Sequence, residues 1–213
     1  MAEASGAMWV LGYGSLIWDG WQSSLGCRRE VVAELAGFRR TFNKGSVKNW
    51  GSAENPCPTL NLAADPLKTC KGVAFEFPEE KRQEVIAYLT KREGKGVELP
   101  LMEVRLDRGE RVYAIVPLCT GKHLLSGRSP NDLVAMASSA RGEKGKCIDY
   151  VRNIVTRLAE LGIDDPNINE FWRALNSSPR MSALGRGCVK TLRSRGTRRV
   201  EFVRFVAAES ATE

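Results

Sequence analysis

Two groups of residues offer chemistry in this chain: a carboxylate, Glu93, and a glycine loop, Gly12-Tyr13-Gly14-Ser15-Leu16-Ile17-Trp18. The carboxylate ends the stretch from Pro78 to Glu93. Proline at its start and Glu79 and Glu80 in its first turn predict a helix, and Gly94 and Gly96 supply the stop. With Val85 at zero and about 100° per residue, Leu89 falls near about 40°, Glu93 near about 80° and Ile86 near about 100°. Glu93 therefore shares the apolar stripe of its helix, in the last turn, where the helix dipole opposes negative charge. Burial and dipole both disfavour the ionised form, so a raised pKa is expected. A carboxyl group so placed is a candidate general acid or base. The alternative is a frayed helix end at which Arg92 or Lys95 neutralises it.

The glycine loop follows the apolar run Met8-Trp9-Val10 and reads as the end of a buried strand. Two glycines two residues apart let the backbone take positive φ and let a ligand approach the amides. Either the loop is a structural corner or bulge, or it is a site. Several motifs are excluded. A dinucleotide fingerprint needs a third glycine where this chain has Ile17, and no Gly-Lys-Ser/Thr run offers a phosphate loop. Ser15 lacks the Gly-x-Ser-x-Gly setting of a nucleophile elbow, and no spacing ties it to His123 and an aspartate as a triad. His123 reads as a solvated loop residue. Arg39-Arg40 could bind an anion or face solvent, and Tyr150 could reach a pocket or pack at the core edge.

The elements that must hold these residues are mostly strands in the first half. One or two strands are predicted within Val31–Phe42, then a long Gly/Ser/Asn/Pro loop over Asn43–Pro58. Thr59–Ala63 and Lys71–Phe77 read as an antiparallel strand pair joined by a turn at Asp65-Pro66. Leu99–Leu106 and Arg111–Pro117 form another pair around Asp107-Arg108-Gly109. The second half is helical. Ser129 caps a helix to about Ser139, an amphipathic helix fills Lys146–Leu161, and a shorter one fills Asn167–Leu175. Val200–Val206 reads as a last strand. The predicted fold is α+β: a mixed, largely antiparallel sheet curled toward a small barrel, with helices on one side. Residues 1–176 form the domain, and 177–213 a basic C-terminal extension.

Composition bounds the rest. The 213 residues are 43% hydrophobic and 27% charged, which suits one globular domain with a sizeable core. The longest apolar run, Ala7–Trp18, is too short to span a bilayer, and its flank lacks the basic residues of a secretory signal. A cytoplasmic location is expected. Cys27, Cys57, Cys70, Cys119, Cys147 and Cys188 form no Cys-x-x-Cys pair, so they are expected to be free thiols, several of them buried, and no metal site is expected. The net charge of +7 owes much to Lys190, Arg193, Arg195, Arg198, Arg199 and Arg204. That run reads as a solvated tail rather than a nucleic-acid surface, since no aromatic residue interleaves it before Phe202.

Gly12-Tyr13-Gly14-Ser15-Leu16-Ile17-Trp18 also resembles the signature loop of the gamma-glutamylcyclotransferases, specifically the ChaC type. Phe38-Arg39-Arg40-Thr41-Phe42 is similar to that type's arginine-pair segment, and Cys70-Lys71-Gly72-Val73-Ala74-Phe75 to its next core strand. Tyr88-Leu89-Thr90-Lys91-Arg92-Glu93-Gly94 resembles the segment with the catalytic glutamate, and Gly145 to Val151 the start of its late helix. The likeness spans roughly Met8 to Leu175. The chain departs from the type at Asn43-Lys44-Gly45-Ser46, where aromatic and histidine residues are usual, and at Val97-Glu98. The resemblance implies that a gamma-glutamyl substrate cyclises without water. Its α-amino group attacks its γ-carbonyl, giving 5-oxoproline and, from glutathione, Cys-Gly. It implies Glu93 as acid and base, and substrate held by Gly12, Tyr13, Gly14, Ser15, Leu16, Ile17 and Tyr150. No cofactor or metal is needed, and the partner is a small molecule rather than a membrane or nucleic acid.

Overall fold

A computed structural model describes residues 6–177. Strand β1 (Ala7–Gly12) is buried from Met8 onward. It pairs antiparallel with β3 (Cys57–Pro78), from Ala7↔Pro78 to Gly12↔Val73. The partner of β3 on its other side is β2 (Arg29–Ser46). These two strands run against each other from Arg29↔Glu76 to Ser46↔Cys57, so the expected long loop shrinks to residues 47–56.

The two strands expected on either side of Asp65-Pro66 are one. The ladder steps from Ala36↔Thr69 to Phe38↔Ala64, leaving residues 65–68 outside it opposite Gly37, whose φ is 78°. The aspartate does make a local turn, with Asp65 Oδ1 accepting from the Leu67 amide at 3.3 Å. That turn is absorbed as a bulge because the apolar alternation resumes in register on both sides of it.

A 3-10 turn over Glu79–Lys81 leads into α1 (Arg82–Glu93), which ends at Gly94 with φ 75°. Val85 and Leu89, four residues apart on one face, are fully buried. Next come β4 (Val97–Glu98), β5 (Leu101–Leu106), β6 (Arg111–Ile115) and β7 (Leu118–Cys119). Strands β5 and β6 form the expected hairpin, with Gly109 at φ 87°, and β4 pairs with β7. The barrel closes in the order β1-β3-β2-β5-β6, and the closing contact between β1 and β6 is its one parallel pair. The architecture is thus the expected α+β one, a mixed and largely antiparallel barrel.

Helix α2 (Pro130–Ser139) starts at a capping box in which Ser129 and Asp132 satisfy each other's backbone. A short hairpin, β8 (Arg141–Gly142) and β9 (Gly145–Lys146), leads to α3 (Cys147–Glu160) and then α4 (Pro166–Ser177). Helices α2, α3 and α4 contact one another and pack on β2 and β3. No helix among the described residues is long and apolar enough to cross a membrane.

The cysteines correct an expectation. Cys57, at the start of β3, and Cys147, at the start of α3, form a disulfide with Cα atoms 5.6 Å apart. Spacing along the chain concealed it, because the pair is separated by 90 residues and meets only when α3 docks on the barrel. Cys70 and Cys119 are free and buried, and Cys27 is free and half-buried. Burial pushes the Cys70 thiol up to about 11. Cys188, the basic run and the strand expected over Val200–Val206 lie outside the described residues.

Candidate active site

A cavity of about 620 Å³ opens beside the end of β1. Tyr13, Gly14, Ser15, Leu16 and Trp18 line one wall, and Glu93 and Tyr150 line it too. The fold therefore brings together a loop, a helix end and a late helix that are far apart in sequence. Of the expected binding residues, Gly12 and Ile17 lie behind the wall rather than on it. Gly12 is glycine for packing: a Cβ there would meet Phe75 at 2.9 Å and Leu16 at 3.0 Å. Neither Gly12 nor Gly14 has positive φ, contrary to expectation; the chain turns after Gly14 through a 3-10 turn over Ser15–Ile17. A Cβ on Gly14 would lie 3.6 Å from the Tyr150 hydroxyl.

The loop is fixed through its carbonyl groups. Arg40 Nε donates to the Tyr13 carbonyl at 2.8 Å, Trp21 Nε1 to that of Leu16 at 3.0 Å, and Arg157 Nε to that of Ile17 at 2.9 Å. With these carbonyls held from behind, the amides at the start of the turn are left for a ligand. Ile17 and Trp18 donate within the turn, whereas Ser15 and Leu16 precede its first bond. Arg40 is only 1% exposed. It also donates to the Lys71 carbonyl and pairs with Asp165 at 2.8 Å, so it neither binds an incoming anion nor faces solvent. Its neighbour Arg39 pairs with Asp65 at 3.5 Å.

Glu93 lies where helical phase put it, with its side chain 13% exposed. It is not an isolated carboxylate among apolar groups. Lys44 Nζ, from β2, is 2.5 Å from Oε2, and Arg92 Nε is 3.5 Å from Oε1. The sequence-level picture missed Lys44 because β2 ends far from α1 in the chain; the barrel alone joins them. Arg92 ties the helix end to the loop. It meets Asp19 at 2.6 Å, Ser15 Oγ at 2.9 Å and the Tyr88 hydroxyl at 3.1 Å.

Tyr150 sits in the second turn of α3, buried, and its hydroxyl accepts from the Leu60 amide at 3.0 Å. Its own proton is then free to be donated toward the cavity. Burial raises its pKa well above the ordinary value, so it stays a neutral donor. Tyr13 donates to the Pro117 carbonyl at 2.5 Å, and both residues line the cavity. Trp50 packs against both Trp18 and Tyr150. The hairpin turn between β8 and β9 is bound to the 47–56 loop by Glu143 and Lys144 amides donating to the Lys48 and Asn49 carbonyls.

Six cations line the cavity: Lys44, Lys48, Lys91, Arg92, Lys95 and Lys144. Only Asp19 and Glu93 oppose them. His123 lines it too. The arrangement suits an anionic ligand with an amino group for the carboxylate at its centre.

A family model described as ChaC-like protein matches residues 8–177. Gamma-glutamylcyclotransferase 2-3 of Arabidopsis thaliana is 29% identical over 175 residues, spanning 78% of this chain and 86% of that protein. The glutathione-specific gamma-glutamylcyclotransferase of Escherichia coli (strain K12) is 30% identical over 170 residues, spanning 78% and 71%. A crystal structure of a yeast gamma-glutamyl cyclotransferase specific to glutathione superposes with a TM-score of 0.71 at 22% identity, covering 80% of this chain and 98% of that one. At that identity the likeness speaks for the fold. With a match that runs from β1 to the end of α4, the chain belongs to the ChaC-like protein family.

Proposed function

We propose that the chain is a gamma-glutamylcyclotransferase acting on glutathione, with Glu93 as general acid and base. One observation carries this: Glu93 and the Tyr13-Gly14-Ser15-Leu16 wall share a single cation-lined cavity. The substrate's α-ammonium gives a proton to the Glu93 carboxylate. The freed amine attacks its own γ-carbonyl carbon, closing a five-membered ring as an electron pair moves to the carbonyl oxygen. The Ser15 and Leu16 amides and the Tyr150 hydroxyl offer donors to that oxygen and to the α-carboxylate. As the carbonyl re-forms, the bond to the cysteine nitrogen breaks and Glu93 returns its proton there; the second proton of the attacking nitrogen follows through the same carboxylate, so that 5-oxoproline leaves as a neutral lactam and Cys-Gly as an ammonium. One C–N bond is made and one broken, and water is not consumed. The cavity's work is to hold the γ-glutamyl chain curled so that its ends meet.

We assign the reaction to residues 1–176 rather than the basic extension at 177–213, since the family match ends at residue 177. The cytoplasm is its proposed location. The test is incubation of the purified protein with glutathione, followed by mass spectrometry. Stoichiometric 5-oxoproline and Cys-Gly are expected; glutamate in place of 5-oxoproline would mean hydrolysis and sink the cyclotransfer mechanism.

A further inference from the structure

A base that is to take a proton from an ammonium group already has one bound to it. Lys44 Nζ stands 2.5 Å from Glu93 Oε2, and Arg92 approaches the other oxygen. Arg92 cannot leave without releasing Asp19, Ser15 and Tyr88. Lys44 can. Among the described residues its ammonium pairs with no carboxylate but that of Glu93. Its backbone is fixed, with the Gly45 amide donating to the His123 carbonyl at 2.7 Å and Thr59 Oγ1 donating to the Lys44 carbonyl at 3.0 Å. Motion is thereby confined to its long, flexible side chain.

We infer that Lys44 is a specificity-determining residue: its ammonium stands in for the substrate's α-ammonium and, once displaced, pairs with a carboxylate on the leaving amine. This rests on the cyclotransfer reading and deepens it. The displaced charge needs a counter-ion. Within the cavity it would otherwise face Lys48 and Lys144, and the remaining acid, Asp19, is held by Arg92. The loop amides take the α-carboxylate, so the carboxylate left for Lys44 is that of the expelled portion. The site thus selects γ-glutamyl peptides and amino acids over γ-glutamylamines, whose leaving group cannot recapture Lys44.

The experiment compares glutathione with its C-terminal amide, which has the same leaving nitrogen but no terminal carboxylate. 5-Oxoproline release is measured for wild type, Lys44→Met and Lys44→Arg. Wild type should prefer glutathione by about tenfold in kcat/KM. Lys44→Met should bring the two substrates close to parity, with KM rising for glutathione and falling for the amide. Lys44→Arg, which keeps the charge, should keep most of the preference, and equal thermal melts would show that both variants fold. An active wild type without the preference, or a Lys44→Met variant that slows both substrates alike, would overturn the assignment while leaving cyclotransfer intact. An absence of 5-oxoproline from both substrates with wild type would overturn both readings.

Discussion

Two parts of the cavity lining, the glycine loop and the lysines, are built in opposite ways. Along the loop, the carbonyls of Tyr13, Leu16 and Ile17 are each held by a side chain, and two of the three donors, Arg40 and Trp21, are buried. Elsewhere the lining carries five lysines: Lys44, Lys48, Lys91, Lys95 and Lys144. Lys48 reaches its nearest acid, Glu143, only at 3.9 Å, with both side chains largely exposed. The difference separates two tasks. Stabilising a developing oxyanion needs donors that do not reorganise. Admitting an anionic substrate and reading its far end needs charge that can move.

If that division is right, changes on the fixed side should be severe and changes on the cationic side graded. The largest effect should follow Glu93→Gln, with kcat falling by about 10²–10⁴-fold in the 5-oxoproline assay while the melting curve is preserved. Turnover near wild type would remove Glu93 from the chemistry. Arg40→Met should cost about 3–5 kcal/mol in urea unfolding, because Asp165 is left as an unpaired charge and the Tyr13 carbonyl loses its donor. A cost below about 1 kcal/mol would mean the loop does not depend on Arg40.

The cationic wall has one covalent tie, the Cys57–Cys147 bridge that joins the end of the 47–56 loop to the start of α3. Replacing both residues with serine should cost about 2–4 kcal/mol. KM should rise more than kcat falls, which steady-state kinetics on glutathione would reveal. A fall confined to kcat would place the bridge with the fixed wall instead.

The smallest effect at neutral pH is latent in Cys70. Its thiol is kept neutral by burial, from an ordinary 9.0 up to about 11, so the folded chain holds a proton that the unfolded chain releases. That contribution is fully present below about pH 9 and is lost as pH rises toward 11, amounting to about 3 kcal/mol in full. Tyr13 and Tyr150, also raised by burial, act in the same direction at higher pH. Denaturant melts from pH 8 to 11 should show the decline in wild type and a shallower one in Cys70→Ala.

Local periodicity made much of this legible. It placed Glu93 on its stripe, marked the capped start of α2, and found the hairpin of β5 and β6. The resemblance added the loop as a ligand wall. What escaped were facts that depend on distant partners. Asp65-Pro66 carries turn chemistry, and nothing local distinguishes a turn that reverses the chain from one bulged out of a continuing ladder. Arg40 reads like any basic residue of a half-buried strand until Asp165, Lys71 and Tyr13 are seen around it. The glycines of the loop suggested left-handed backbone; in fact Gly12 answers to the ring of Phe75, a neighbour on another strand.

The parallel closure of the barrel bears on how the protein is made. Trp9 and Val10 pair with Ala114 and Ile115 on one side, while all of β1 lies against the C-terminal end of β3 on the other. The glycine loop leaves β1, so on a ribosome its final shape must await residues synthesised much later. Non-local pairing of this kind slows folding and prolongs exposure of apolar strands. A nascent chain arrested before β6 would carry the loop, and even Glu93, without a finished barrel to hold them together.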